Sequence, residues 1–146
     1  MKAPIVVFDT NVLVALFVFA DSRYRPFIEA IAAGRLRALR SEASSEELRR
    51  VLAYPAFGLA QERQQALLAT WLALAGLPPH PPISQAPLPR CADRDDQKFL
   101  ELARDGGADW LITADKALLR LARRDRLNGL FRLLTPEAAL ATLAAG

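Results

Sequence analysis

The chain has 146 residues, 52% of them apolar and 24% charged. That balance fits one globular domain spanning 1–146 with a core that needs no cross-links, and it excludes a disordered tail. One cysteine, Cys91, and one histidine, His80, exclude an internal disulfide framework, a cysteine zinc cluster and any multi-histidine site, and 19 Lys and Arg against 16 Asp and Glu give a net charge of +3 that permits a polyanionic partner without demanding one.

Residues 3–8 are a continuous apolar, β-branched run, the pattern of a buried strand in a parallel sheet. The run stops at Asp9-Thr10-Asn11, and an apolar helical stretch, 12–20, follows. Lys2, that stretch and the small Ala20 imitate an export leader, but Asp9 and Asn11 interrupt it, so no leader is expected. No run reaches the ~18 apolar residues of a membrane span. The expected compartment is the cytoplasm, which the low cysteine count fits.

Residues 24–33 read as a second helix stopped by Gly34, and 36–40 as a short strand. A helix over 41–54 ends before Pro55, with Leu48, Val51 and Leu52 on its buried face. Another helix covers 60–75. Six of the ten prolines then lie between 78 and 89, which predicts an extended crossing with no strand except a short or edge one. Beyond it come a helix over 93–104, a strand over 109–113, a helix over 115–124, a strand over 130–134 and a helix over 136–144 opened by Pro136. Strands alternating with helices predict an α/β fold with a mostly parallel sheet.

Four acids stand at the junctions. Asp9 follows the first strand, and Asp115 follows Trp110-Leu111-Ile112-Thr113. Each reads equally well as a helix N-cap. Glu47 has a similar ordinary explanation, a capping box in which Ser44 caps and Glu47 reaches back. Glu46 has Arg49 and Arg50 at i+3 and i+4 and belongs on a solvated face, whereas Glu47 stands beside Leu48 at the edge of the buried one. Asp93 and Asp96 open the next helix, one as cap and one in the first turn, with Asp95 turned to solvent. In a parallel α/β sheet, strand C-termini and the helix N-termini that follow share one edge. Carboxylates gathered there repel one another, and either raised pKa values or a hard divalent cation such as Mg²⁺ or Mn²⁺ relieves the repulsion. Thr10, Asn11 and Thr113 are short polar groups placed to orient those carboxylates, or to serve the turns alone.

The blocks Phe8-Asp9-Thr10-Asn11-Val12, Glu46-Glu47-Leu48, Asp93-Arg94-Asp95-Asp96 with Leu100-Glu101-Leu102-Ala103, and Leu111-Ile112-Thr113-Ala114-Asp115 resemble, in order and spacing, a PIN domain. More narrowly they resemble PIN-family toxins of toxin–antitoxin pairs, related to VapC, over about residues 5–140. The resemblance implies a three-layer α/β/α sandwich and a Mg²⁺- or Mn²⁺-dependent ribonuclease. Carried over, the acidic quartet is Asp9, Glu47, Asp96 and Asp115, with Asp93 as a fifth candidate ligand. Asn11 and Thr113 match the family's asparagine and threonine beside the first and last acids. Ala114 departs from the family's Thr-Gly-Asp turn, which raises the question of a positive φ there. The implied partners are an RNA substrate, a cognate antitoxin and a second copy in a homodimer, with no membrane.

Arg23, Arg25, Arg49, Arg50 and the run from Arg120 to Arg126 are candidate phosphate contacts, or simply solvated surface. Trp71, Trp110 and His80 read as structural, and Cys91 as a small buried hydrophobe or a free thiol near the acids. The apolar stretch 12–19 and the helix 60–75 are the candidate dimer surfaces. Two other readings compete with the nuclease. A non-catalytic module of the same shape would bind RNA or protein without cleaving it. A phosphatase with an aspartyl nucleophile would want a second Asp two residues after Asp9, where Asn11 stands, and a well-placed lysine, which the sequence does not reveal. The paired Gly106-Gly107 lack the Gly-Lys-Ser/Thr of a phosphate-binding loop.

Overall fold

The computed structural model describes residues 2–123, 127 and 129–146. Among these residues five strands form one sheet: β1 (Ile5–Phe8), β2 (Arg37–Leu39), β3 (Ala75–Gly76), β4 (Trp110–Ile112) and β5 (Arg132–Leu134). Their order is β3-β2-β1-β4-β5, and every pairing is parallel. Among the described residues, seven α-helices accompany them: α1 (Thr10–Phe17), α2 (Arg25–Ala32), α3 (Glu42–Leu52), α4 (Gln61–Leu74), α5 (Gln97–Asp105), α6 (Lys116–Leu119) and α7 (Pro136–Ala145).

The alternation of β1 explains the three layers. Val6 and Phe8 point into one apolar cluster, and Val7 into the other, because successive strand side chains take opposite faces. The first cluster is filled from α1 to α4 and α7, by residues such as Leu13, Phe27, Leu48, Trp71 and Ala139. The second is filled from α5 and α6, by Phe99, Leu100, Ala103 and Leu118. Both tryptophans are buried, as the sequence predicts. This is the expected α/β/α sandwich, with a sheet that is wholly parallel.

Chain direction accounts for the choice of face. From β1 the sheet grows outward through β2 to β3 with helices on the first face. It then returns to the other side of β1 for β4 and β5, with α5 and α6 on the second face. Right-handed crossovers require that change of face when growth reverses. The reversal leaves a switch point between β1 and β4.

Three expectations need correcting. The predicted helix over 60–75 ends at Leu74, and Ala75–Gly76 pair with β2 as an edge strand. A two-residue strand carries no periodicity for a sequence reading to find. The helix predicted over 115–124 is a four-residue α6 followed by a 3-10 turn at Arg120–Arg123. The apolar stretch 12–19 is not a free dimer surface, since Val12, Leu13, Val14, Leu16 and Phe17 are core and only Phe19 projects, 66% exposed.

The proline-rich crossing runs from β3 to α5 without a strand, as predicted. It is pinned to α5 by Ile83 N–H donating to Asp105 O (2.8 Å), Arg104 Nη1 donating to Ala86 O (3.1 Å), and Gln97 Nε2 donating to Pro89 O (3.1 Å). Gly107, at φ +62°, lets Ile83 pack where a Cβ would sit 3.1 Å from its side chain. Gly107→Ala therefore places an L-residue in the left-handed region and crowds Ile83. The expected cost is about 1–2 kcal/mol, read as a lower denaturant midpoint with an unchanged slope.

Candidate functional site

All four quartet acids lie at the C-terminal edge of the sheet, around the switch point, where open α/β sheets bind ligands. Asp9 directly follows β1, and its N–H continues the ladder by donating to Ile112 O at 3.1 Å. It is buried, 4% exposed. Its Oδ1 accepts from Val12 N–H at 3.0 Å and so caps α1, while Oδ2 accepts from the Thr113 hydroxyl. Capping and membership of an acidic cluster are therefore not alternatives here, because one carboxylate has an oxygen for each. Burial pushes the Asp9 carboxyl above the ordinary aspartate range, against the pull of the Thr113 and Val12 hydrogen bonds.

Asp115 repeats the arrangement one strand away. Its Oδ1 accepts from Ala117 N–H (2.8 Å) and caps α6, and its Oδ2 makes no hydrogen bond among the described residues. The turn that presents it is closed by its own N–H donating to Thr113 Oγ at 3.0 Å. Thr113 thus bridges both aspartates from a fully buried position. Ala114 does not take a positive φ, so the missing glycine demands no strained turn.

Glu47 arrives differently from the expectation. Its predicted partner Ser44 is not the cap. Ser41 caps α3, the Ser41 hydroxyl accepting from Ser44 N–H (3.0 Å) and the Ser44 hydroxyl from Ser41 N–H (2.9 Å). The strand β2 ends at Leu39, so the helix starts three residues earlier than the Ser44 cap would require. Glu47 is consequently in the second turn, free of capping, and its Oε2 accepts from the Thr10 hydroxyl at the start of α1. Glu46 is exposed and paired with Arg49, as its spacing predicts.

Asp93 caps a 3-10 turn, Arg94–Asp96, through Asp95 N–H (2.9 Å), and both Asp93 and Asp95 are exposed. Asp96 ends that turn just before α5, and its carboxylate accepts no hydrogen bond among the described residues. Its carboxyl is pushed up to about 6, first by burial, then by the charges of Asp115, Asp93, Asp9 and Glu47. Asp96 thus feels the charge of each of the other four acids. Asn11 is exposed in the first turn of α1 and makes no side-chain hydrogen bond among the described residues.

The structure also brings in a residue that the sequence reading missed. Lys98 Nζ donates to Glu47 Oε1 at 2.6 Å and to Asp95 O at 2.7 Å. Lys98 therefore stands beside the acids, but it is bonded to Glu47 and Asp95 and not to Asp9, the residue an aspartyl phosphatase would use as nucleophile. The only available signal was Lys98 two residues after Asp96, in a chain whose only other lysines are Lys2 and Lys116.

Of the candidate phosphate contacts, Arg23 and Arg49 are held in ion pairs by Asp21 and Glu46. Arg25, Arg50 and Arg120 are exposed, and residues 124–126, with the side chain of Arg123, lie outside the described residues. A groove of about 570 Å³ between the crossing and α5 is instead lined by Arg90 and Arg94, by Arg104, itself paired with Asp105, and by Glu101, with Cys91 in its wall. The Cys91 thiol is half-buried and pushed up to about 11, by burial and then by Asp96, Asp115 and Asp93, so the groove adjoins the acids.

A family model for the PIN domain matches residues 5–117. The chain belongs to the PIN domain family. All four quartet acids fall inside the match, while β5 and α7 lie beyond it and complete the sandwich. No curated protein and no solved structure matches the chain. PIN domains are in general nucleases that use divalent cations, which makes nucleic acid the class of substrate. No helix among the described residues is long and apolar enough to cross a membrane.

The donor set of this PIN domain suits such an ion. Asp9, Glu47, Asp96 and Asp115 offer hard carboxylate oxygens, the ligands that Mg²⁺ and Mn²⁺ prefer. The unengaged Asp96 carboxylate and Asp115 Oδ2 are open to a cation. Among the described residues, no group of three or more His, Cys, Asp or Glu side chains is drawn close enough to hold a metal ion.

Proposed function

We infer that this PIN domain, one folding unit over 1–146, is a ribonuclease dependent on Mg²⁺ or Mn²⁺ and the toxin of a toxin–antitoxin pair. The observation that carries the reading is the placement of Asp9 and Asp115 just beyond the C-terminal ends of β1 and β4, both held by Thr113, with Glu47 tied to the start of α1 through Thr10. Asp9, Glu47, Asp96 and Asp115 would hold the ion, with Asp93 at the rim. A divalent cation held there would neutralise charge developing on a phosphodiester and lower the pKa of a water molecule. Thr113 and Thr10 orient carboxylates, and a carboxylate takes the proton of the attacking water. The arginine-lined groove beside the acids supports a phosphate backbone as substrate, and RNA is the polymer we assign.

The finer parts of the reading have their own supports. An antitoxin and the cytoplasm follow from the resemblance to VapC-like toxins, and Cys91, as a lone thiol, suits a reducing compartment. A homodimer is supported by an exposed aromatic group in which Phe57 meets Phe19 edge-on at 5.8 Å and stacks with Tyr54 at 6.2 Å.

The test is RNA cleavage with Mn²⁺, with and without EDTA, by the wild type and by Asp115→Asn purified in parallel. Cleavage by the wild type alone, lost on chelation, is the expected result. Equal cleavage by both proteins exposes a contaminant and overturns the reading. Bound Mn²⁺ without cleavage of transfer, ribosomal or messenger RNA moves the protein to the binding-module reading. For the toxin role, expression should arrest growth of a host only while Asp115 is intact.

A further inference from the structure

Glu47 differs from the other three acids of the quartet in being held by a cation. Thr10 holds Oε2 and the Lys98 ammonium holds Oε1 at 2.6 Å. The two charged side chains are only 18% and 17% exposed, and the ammonium is fixed a second time by Asp95 O at 2.7 Å. Glu47 sits on α3 and Lys98 on α5, helices from opposite layers that meet over the sheet edge. Asp9, Asp96 and Asp115 have no cationic partner among the described residues.

We propose that Lys98 is a built-in counter-ion of the acidic site, a positioning residue that occupies Glu47 until a divalent cation displaces it and so sets the cation affinity of the site. The proposal rests on the reading that the quartet holds such an ion. A charge-assisted hydrogen bond shielded from water is among the stronger ones, and the cation must break it to reach Oε1. Lysine suits the task better than arginine. It is a point charge on a flexible stem that can swing away, whereas a guanidinium fork locks onto a carboxylate through two parallel bonds.

Calorimetric titration of the whole chain with Mn²⁺ tests this, using the wild type, Lys98→Met, Lys98→Gln and Lys98→Arg. Both neutral variants should bind Mn²⁺ about tenfold tighter, a change worth about 1.4 kcal/mol, whereas Lys98→Arg should not. The neutral variants should also melt lower than the wild type without Mn²⁺ and lose that deficit when saturated with it. A purely structural lysine would instead weaken binding and stability together. Neutral variants that fold but bind Mn²⁺ no more tightly overturn the proposal. A wild type that binds no Mn²⁺ overturns it together with the metal reading. Mn²⁺ bound in the expected order of affinities without RNA cleavage overturns the nuclease reading alone.

Discussion

Asp9→Asn should lower Mn²⁺-dependent RNA cleavage by roughly 10²–10³-fold, the usual cost of removing one preorganised electrostatic group from an active site, while leaving the fold in place. The loss follows from position, because Asp9 stands at the switch point between β1 and β4. The survival of the fold follows from the two jobs its oxygens do. Asparagine is as good an N-cap as aspartate, so the Val12 N–H keeps its acceptor and α1 its first turn. The amide nitrogen can donate to Thr113 Oγ, which reverses that bond rather than deleting it. Burial already disfavours the Asp9 charge, so its removal offsets part of any cost. Single-turnover cleavage and a thermal melt on the same sample check both halves. A variant that cleaves at the wild-type rate sinks the assignment of Asp9.

Asp96→Asn should also abolish cleavage, and it should make the cation-free protein more stable at pH 7.5. Its carboxyl titrates near 6 in the folded chain against an ordinary 3.8. Between those values the folded chain holds a proton that the unfolded chain has released. Stability therefore falls as pH rises from about 3.8 to about 6, and the whole penalty remains above that. Asparagine removes the penalty. Because Asp96 is only partly buried, solvent screening leaves a modest gain, and a rise in Tm of roughly 2–4 °C is expected for about 1 kcal/mol in a chain of this size. The gain should fade as pH drops through 3.8 and vanish well below it, where Asp96 is protonated in both states. Added Mn²⁺ should stabilise the wild type more than the variant. A variant less stable than the wild type at pH 7.5 and more stable at pH 4 would contradict the sign.

Both substitutions concern residues legible in the chain itself. Asp9 and Asp115 stand out because each ends a short apolar run, and a carboxylate directly after a buried strand must lie at the sheet's C-terminal edge. Glu47 was separable from Glu46 by helical spacing, even though its capping role was misread. The misreading came from choosing among three serines, Ser41, Ser44 and Ser45, when the end of β2 decides which one caps.

The sequence by itself determined the layered α/β plan and the four acids, because strand and helix periodicities and turn residues are local properties written into short stretches of chain. It even placed the proline-rich crossing, since that composition excludes a central strand. Tertiary structure alone decided the strand order, the edge strand Ala75–Gly76 and the pairing of Lys98 with Glu47. The physical reason is range. A two-residue strand exists only because β2 offers it a ladder. An ammonium and a carboxylate 51 positions apart meet only after two helices from opposite faces of the sheet converge on its edge.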